Sequence, residues 1–284
     1  MSLSPPTPGK ILDCAGRPLD LLRPQVMGVL NITPDSFSDG GAYVAPERAV
    51  AHAQRMVEEG AAIIDVGGES TRPGADPVAL EEELRRVIPV IEALHGAIPV
   101  PVSVDTRKPA VMRAAVAAGA GLINDVSALQ TPDAIGTVAE LGVPVCLMHM
   151  QGIPESMQDN PDYRDVVGEV KDFLAGRARA CEAGGIAPGR ILLDPGFGFG
   201  KTTGHNLQLL RHLDALVQTG YPVLVGLSRK SLIDNVLGLP VDKRLYPSVA
   251  LAVLAVWNGA AIVRCHDVQA TREAVAMCHA VRDG

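Results

Sequence analysis

Asp105, Asn124 and Asp194 each close a short apolar run, S-V-D, L-I-N and L-L-D. An ionised carboxylate accepts two hydrogen bonds side by side, and an amide both donates and accepts. The three together suit a flat heterocycle with amino and ring N–H donors. They would reject a ring with mismatched edges, because buried groups would be left unpaired. Lys230, in S-R-K at 228–230, could serve such a ring's carbonyl and a nearby nitrogen. A second group suits an anion: Arg72, Arg264 and His266, with Thr71 and Asn31 beside them. Arginine presents a planar fork of donors that matches phosphate oxygens. Each residue also has a plainer use. Asp or Asn at a strand end commonly caps the next helix. Arg264 could pair with Asp65 or Asp267, and a lone histidine such as His266 is more often structural. The S-R-K string reads as a helix start, where free N–H groups favour an anion such as a second substrate's carboxylate; a simple Ser cap is the alternative.

These residues need a scaffold that gathers strand ends. Short apolar runs recur at 26–30, 61–66, 100–104, 121–124, 143–148, 190–193, 222–225 and 260–264, mostly separated by stretches of helical periodicity such as 46–59 and 78–94. Strands alternating with helices imply a parallel sheet. About eight such runs is the number that closes a (β/α)8 TIM barrel, with an open doubly wound sheet as the structural alternative. The runs end in Asn31, 65–72, 105–107, 124–125, His149, Asp194, 228–230, and Arg264 with His266. In a barrel all of these points lie on the C-terminal rim, where active sites form. Two segments break the rhythm. Residues 161–184 read as a longer helical stretch, and 244–258 as an added helix, so apolar over Val249–Trp257 that it should be buried against a neighbour, a homodimer partner being one option. Residues 1–22 read as a lead-in, partly disordered or a short hairpin, before a single barrel domain at 23–284.

Two loops stand out. Residues 27–41, M-G-V-L-N-I-T-P-D-S-F-S-D-G-G, change from buried strand to polar loop at Asn31 and carry one aromatic, Phe37. Residues 194–201, D-P-G-F-G-F-G-K, miss the phosphate-loop spacing by one residue and miss G-x-G-x-x-G as well. Their glycines allow backbone to approach a flat ligand closely, with Phe197 and Phe199 available to cover it.

Bulk properties narrow the class. A net charge of −7 gives no basic footprint for nucleic acid. No apolar run approaches the roughly 18 residues of a transmembrane helix, and the Ser/Pro-rich start lacks a signal-peptide core. Five cysteines, odd in number and without a C-x-x-C pair, indicate neither a zinc site nor a disulfide framework; reduced thiols in the cytoplasm are the simplest account.

The strings at 27–41, G-G-E-S-T-R-P-G at 67–74, S-V-D-T at 103–106, I-N-D at 123–125, L-M-H-M-Q-G at 147–152, residues 194–201, S-R-K and R-C-H-D-V at 264–268 jointly resemble dihydropteroate synthase, the pterin-binding TIM-barrel family. The match runs from about Arg23 to the end. It implies a transferase that condenses 6-hydroxymethyl-7,8-dihydropterin diphosphate with p-aminobenzoate, using Mg2+. Asp105, Asn124, Asp194 and Lys230 would hold the pterin, with Met148, Phe199 and Gly226 around it. Asn31, Thr71, Arg72, Arg264 and His266 would take the diphosphate end, Asn31 being also the metal ligand. Phe37, Thr71, Pro73 and Ser228 would meet p-aminobenzoate, and Asp35, Arg72 and Lys230 are the candidate catalytic residues. Cys265 stands where the family more often has Val, and Tyr246-Pro247 precedes Ser248 where Gly is more usual. Both departures lie away from the matched ligands. Methyltetrahydrofolate:corrinoid methyltransferases and a non-catalytic pterin-binding relative are the rival readings; neither has an evident use for both the T-P-D-S-F loop and Arg72.

Overall fold

The structure, a computed structural model, describes residues 11–32, 44–70, 75–152 and 156–283. It begins with an antiparallel hairpin, β1 (Ile11–Cys14) and β2 (Arg17–Asp20). The hairpin turns at Ala15 and Gly16, both with positive φ, where the Gly16 N–H donates to Asp13 Oδ1 at 2.7 Å.

Parallel strands and helices then alternate in the order β3 (Gln25–Asn31), α1 (Val44–Glu58), β4 (Ile63–Gly67), α2 (Leu80–Ala97), β5 (Val102–Asp105), α3 (Pro109–Ala117), β6 (Leu122–Asp125), α4 (Ala134–Leu141), β7 (Val145–Met148) and α5 (Val166–Ala183). After α5 come β8 (Ile191–Asp194), α6 (Thr203–Arg211), α7 (Asp214–Val217), β9 (Leu224–Gly226), α8 (Ser231–Leu237), α9 (Leu245–Trp257), β10 (Ile262–Cys265) and α10 (Val268–Asp283). Hydrogen bonds link the strands as β8-β7-β6-β5-β4-β3-β10-β9. The ring closes between β8 and β9, where Leu193 N–H donates to Pro222 O at 3.0 Å and Leu193 bridges Val223. The fold is a TIM barrel, not an open sheet.

Period-two alternation along the strands decides what lies inside. At the N-terminal end, Met27, Ile63, Leu122, Cys146, Leu192, Leu224 and Ile262 form one apolar cluster with Leu12, Cys14 and Leu19 of the hairpin. The hairpin thus plugs the bottom of the barrel. It packs so closely that a Cβ on Gly121 would lie 2.3 Å from Cys14 O. Two residues further along the same inward face stand Asp65, Asn124, Met148, Asp194, Gly226 and Arg264, with Asp105 two beyond Ser103. The outward-facing residues, among them Ile64, Val66, Val104, Ile123, Leu147 and Leu193, join the helices in the main core.

One expectation needs correction. The stretch 161–184 is helical only from Val166, because Glu169 Oε1 accepts from Arg164 N–H at 2.8 Å and Asp165 N–H at 2.9 Å and so caps the helix there. The added helix spans Leu245–Trp257, as expected, with one face inside this chain and the other exposed. Its small residues Ala252 and Ala255 turn inward with Ser248 and Val256, which leaves Tyr246, Leu254 and Trp257 facing out. Alongside it, α10 exposes Met277 and Val281. No helix among the described residues is long and apolar enough to cross a membrane.

Candidate active site

Parallel register brings the sequence-predicted residues to one rim. Asn31 pairs with Gly67, Gly67 with Asp105, and Asp105 with Asn124. Met148 pairs with Asp194, and Gly226 with Arg264. Gly67 lies between two of them: a Cβ there would make ordinary contacts, 3.5 Å from Asp105 Cβ and 3.6 Å from Asn31 Oδ1. Arg264 projects into the barrel, where its Nε donates to Asp65 Oδ2 at 2.6 Å and its Nη2 to Asp105 Oδ2 at 3.1 Å. Asn124 Nδ2 donates to the same Asp65 oxygen at 3.2 Å. Of the two alternative partners for Arg264, it is Asp65 that binds it; Asp267 instead takes Arg229 in a two-pronged ion pair at 2.6 and 3.0 Å.

The barrel interior leaves its carboxylates poorly solvated. Burial and the neighbouring charge of Asp65 push the Asp105 carboxyl up to about 7, against the opposing pull of Arg264. Burial likewise lifts Asp194 to about 6, opposed by the Gly196 N–H that donates to its Oδ1 at 2.7 Å and by the charges of Lys230 and Lys201. Two acceptors therefore titrate close to neutrality inside one cup, a pattern typical of functional sites. A ligand that brings N–H donors would hold both ionised.

Around the carboxylates the walls are apolar. Met148 and Phe199 pack with Val126 and Met157 in a small cluster of their own on this rim. Lys230 Nζ lies 4.2 Å from the Phe199 ring centroid, a cation–π contact. Phe197 does not cover the site; it is in the main core. Gly226 opens the floor, since a Cβ there would meet nothing within 4 Å. Ser228 and His266 adjoin each other: Ser228 Oγ lies 3.0 Å from His266 Nδ1 and accepts from His266 N–H at 3.2 Å. The S-R-K string is a turn rather than the first turn of a helix, with Arg229 at φ 57° and α8 starting only at Ser231.

The comparisons with known proteins agree with this geometry. The family model described as "Pterin binding enzyme" matches residues 27–266. The dihydropteroate synthase of Haemophilus influenzae is 52% identical over 255 residues, 90% of this chain and 93% of that one. The chain belongs to the dihydropteroate synthase family. Among solved members of the family, the Xanthomonas albilineans dihydropteroate synthase with 4-aminobenzoic acid superposes with a TM-score of 0.91 at 56% identity, over 97% of this chain and 99% of that one. The same organism's enzyme in complex with 7,8-dihydropteroate gives a TM-score of 0.87 at 53% identity, covering 96% of this chain and 99% of that one. As a member of this family the chain is a transferase.

Five of the residues that the family resemblance picks out, Asp35, Phe37, Thr71, Arg72 and Pro73, lie outside the described residues. The segment leading into the second loop is well tied. Arg107 Nη2 donates to Glu69 Oε1 at 2.9 Å, Lys108 Nζ bonds both Glu69 and Glu83, and Thr106 Oγ1 donates to the buried Glu83 at 2.6 Å. The sequence does not reveal that network, nor Val126 and Met157 as wall residues. Asp65 had a signal: an acid in the middle of the apolar run I-I-D-V-G can only face a polar barrel interior or an ion partner.

Proposed function

We propose that this chain joins p-aminobenzoate to 6-hydroxymethyl-7,8-dihydropterin diphosphate, giving 7,8-dihydropteroate and diphosphate. One observation carries the reading at the level of residues: the buried Asn124 and Asp194 and the partly buried Asp105 converge as hydrogen-bonding groups on a rim shared with Arg264, Lys230 and His266. In this reading Asp105, Asn124, Asp194 and Lys230 bind the pterin edge, and Met148 and Phe199 cover its faces over the open floor at Gly226. Arg264, His266, Asn31, Thr71 and Arg72 receive the diphosphate. A guanidinium has five N–H donors, so the bonds from Arg264 to Asp65 and Asp105 leave donors for phosphate oxygens. Ser228 takes the p-aminobenzoate carboxylate, with Phe37, Thr71 and Pro73 closing over that ring.

The bond from the exocyclic methylene to the diphosphate oxygen breaks first or nearly so, and its electron pair leaves with the diphosphate. Arg72, Arg264 and His266 stabilise the charge growing on the leaving oxygens. The methylene becomes cationic and shares that charge with the ring, where the carboxylates of Asp105 and Asp194 offset it. The aryl amine nitrogen then attacks to form the C–N bond and afterwards loses a proton. Asp35 and Lys230 join Arg72 as the candidate catalytic groups. The loops at 31–41 and 67–77 shut water away from the cation.

The donor set fits Mg2+. Asn31 offers an amide oxygen beside Asp105, and no group of three or more His, Cys, Asp or Glu among the described residues could hold a metal by itself. Mg2+ commonly takes only one or two protein oxygens and completes its shell with water and substrate phosphates. When bound it would supply charge neutralisation at the diphosphate.

The exposed apolar residues of α9 and α10 support a homodimer, which Trp257→Glu should convert to monomer in sedimentation. Five buried, unpaired cysteines support a cytoplasmic, reducing setting. The deciding assay measures diphosphate release from the dihydropterin diphosphate. It should depend on p-aminobenzoate and Mg2+ and yield dihydropteroate by mass. Release without p-aminobenzoate incorporation, methyl transfer, or binding without turnover would each refute the reading.

A further inference from the structure

Lysine is almost never fully buried unless paired with a charge, yet Lys201 is 3% exposed and takes no part in the chemistry above. Among the described residues, its hydrogen-bond partners are all neutral. Nζ lies 3.0 Å from Gly196 O, 2.9 Å from Phe199 O, 3.3 Å from His149 O and 2.9 Å from His149 Nδ1. Burial pulls Lys201 down to about 7, opposed by the charge of Asp194; its ammonium form has three donors and no acceptor, so beside that form His149 presents Nδ1 as an acceptor and carries its proton on Nε2. The environment agrees, since burial and the Lys201 charge push His149 down to about 3 and keep it neutral.

These acceptors come from two loops, the one after β7 and the glycine loop after β8. The glycine loop has no ladder of its own: Gly196, Gly198 and Gly200 have φ of 66°, 82° and 61°. Two of its carbonyls, those of Gly196 and Phe199, turn onto the Lys201 ammonium, while Gly198 O accepts from Gln158 Nε2 at 2.6 Å and Gly200 O from the Tyr163 hydroxyl at 2.8 Å. A Cβ on Gly196 would lie 1.9 Å from His149 O, which shows how tightly the two loops are drawn together. Both ends of Gly196 are thereby fixed, its N–H by Asp194 and its carbonyl by Lys201. The Phe199 carbonyl is held in the same way, on the residue whose ring lies under Lys230.

We propose that Lys201 is a positioning residue for the pterin pocket, its ammonium clamping the glycine loop so that Asp194 and Phe199 face the ring. The proposal rests on the pterin reading of that pocket. It places Lys201 in no contact with either substrate, so its effect must pass through one substrate and not the other.

The test compares wild type with Lys201→Met and Asp194→Asn, using calorimetric binding of 6-hydroxymethylpterin and steady-state kinetics with both substrates. Lys201→Met should weaken pterin binding by about tenfold or more, the scale of one or two lost buried hydrogen bonds. KM for the dihydropterin diphosphate should rise in parallel, while KM for p-aminobenzoate stays within about twofold. A folded Lys201→Met with unchanged pterin affinity overturns the proposal, as does an equal rise in both KM values. If that variant does not fold, His149→Phe removes one acceptor and leaves the three carbonyls; it should shift pterin affinity alone, by about two- to threefold, and no shift overturns the clamp. If Asp194→Asn binds the pterin like wild type, the pocket reading fails and the clamp falls with it. If Asp194→Asn loses binding and Lys201→Met does not, only the role of Lys201 is wrong.

Discussion

Asp194→Asn should stabilise the unliganded protein while abolishing tight pterin binding. Burial lifts the Asp194 carboxyl from 3.8 to about 6. Each pH unit of such a rise corresponds to about 1.36 kcal/mol, so holding this group ionised in the empty site costs roughly 3 kcal/mol. The sign follows from proton linkage: between the two values the folded state binds more protons than the unfolded chain, so stability falls as pH rises. It is fully present below about pH 4 and lost as pH passes through about 6; roughly half the cost has accumulated at pH 5 and nearly all of it by pH 8. Asparagine keeps an oxygen for the Gly196 N–H and removes the ionisation. The advantage of the variant should therefore grow by roughly 1.5 kcal/mol between pH 5 and pH 8, read by urea unfolding at both pH values. Pterin affinity should fall about a hundredfold or more, because an amide offers one acceptor where the ring edge needs two and turns a donor toward a donor. A stability difference that does not change with pH, or a variant that binds pterin normally, would refute the reasoning.

Arg264→Met should destabilise by about 3–5 kcal/mol, because it leaves Asp65 and Asp105 facing each other without a cation. Adding Asp65→Asn should recover part of that loss in a denaturant titration, and no recovery would deny the coupling. Phe37→Ala should raise KM for p-aminobenzoate far more than KM for the pterin substrate; equal increases would contradict closure of that loop over the second ring. Arg72→Ala should lower kcat by about a hundredfold at saturating substrate, the scale of one lost oxyanion donor. Unchanged turnover would remove Arg72 from the leaving-group role.

Much of this architecture is legible in the chain because two periodicities coincide. Each apolar run ends in a polar residue, and the structure puts Asn31, Asp105, Asn124, Asp194 and Arg264 on one rim because parallel strands end at the same level. The inward set at that rim, Asp105, Asn124, Met148, Asp194, Gly226 and Arg264, then follows from counting by two along each strand. Less visible is what depends on pairing between distant segments. Lys201 reads as the tail of a failed phosphate loop until the carbonyls of His149, Gly196 and Phe199 are seen around it. Similarly, Glu83 is one acid of the helix-start run Glu81-Glu82-Glu83, and nothing local marks it as the one that is buried against Lys108 and Thr106. Uniform hydrophobicity cannot say which face of α9 turns inward; the inward stripe is Ser248, Ala252, Ala255 and Val256, and Tyr246, Leu254 and Trp257 are left outside.

The central claim is about place, and a crystal soaked with 6-hydroxymethyl-7,8-dihydropterin diphosphate tests it most directly. The ring should lie edge-on to Asp105, Asn124 and Asp194 with Lys230 at its carbonyl and Phe199 over its face, and the phosphates should point toward His266 and Arg264. A ring bound at any other part of the barrel, or turned so that its phosphates meet the carboxylates, would contradict the account.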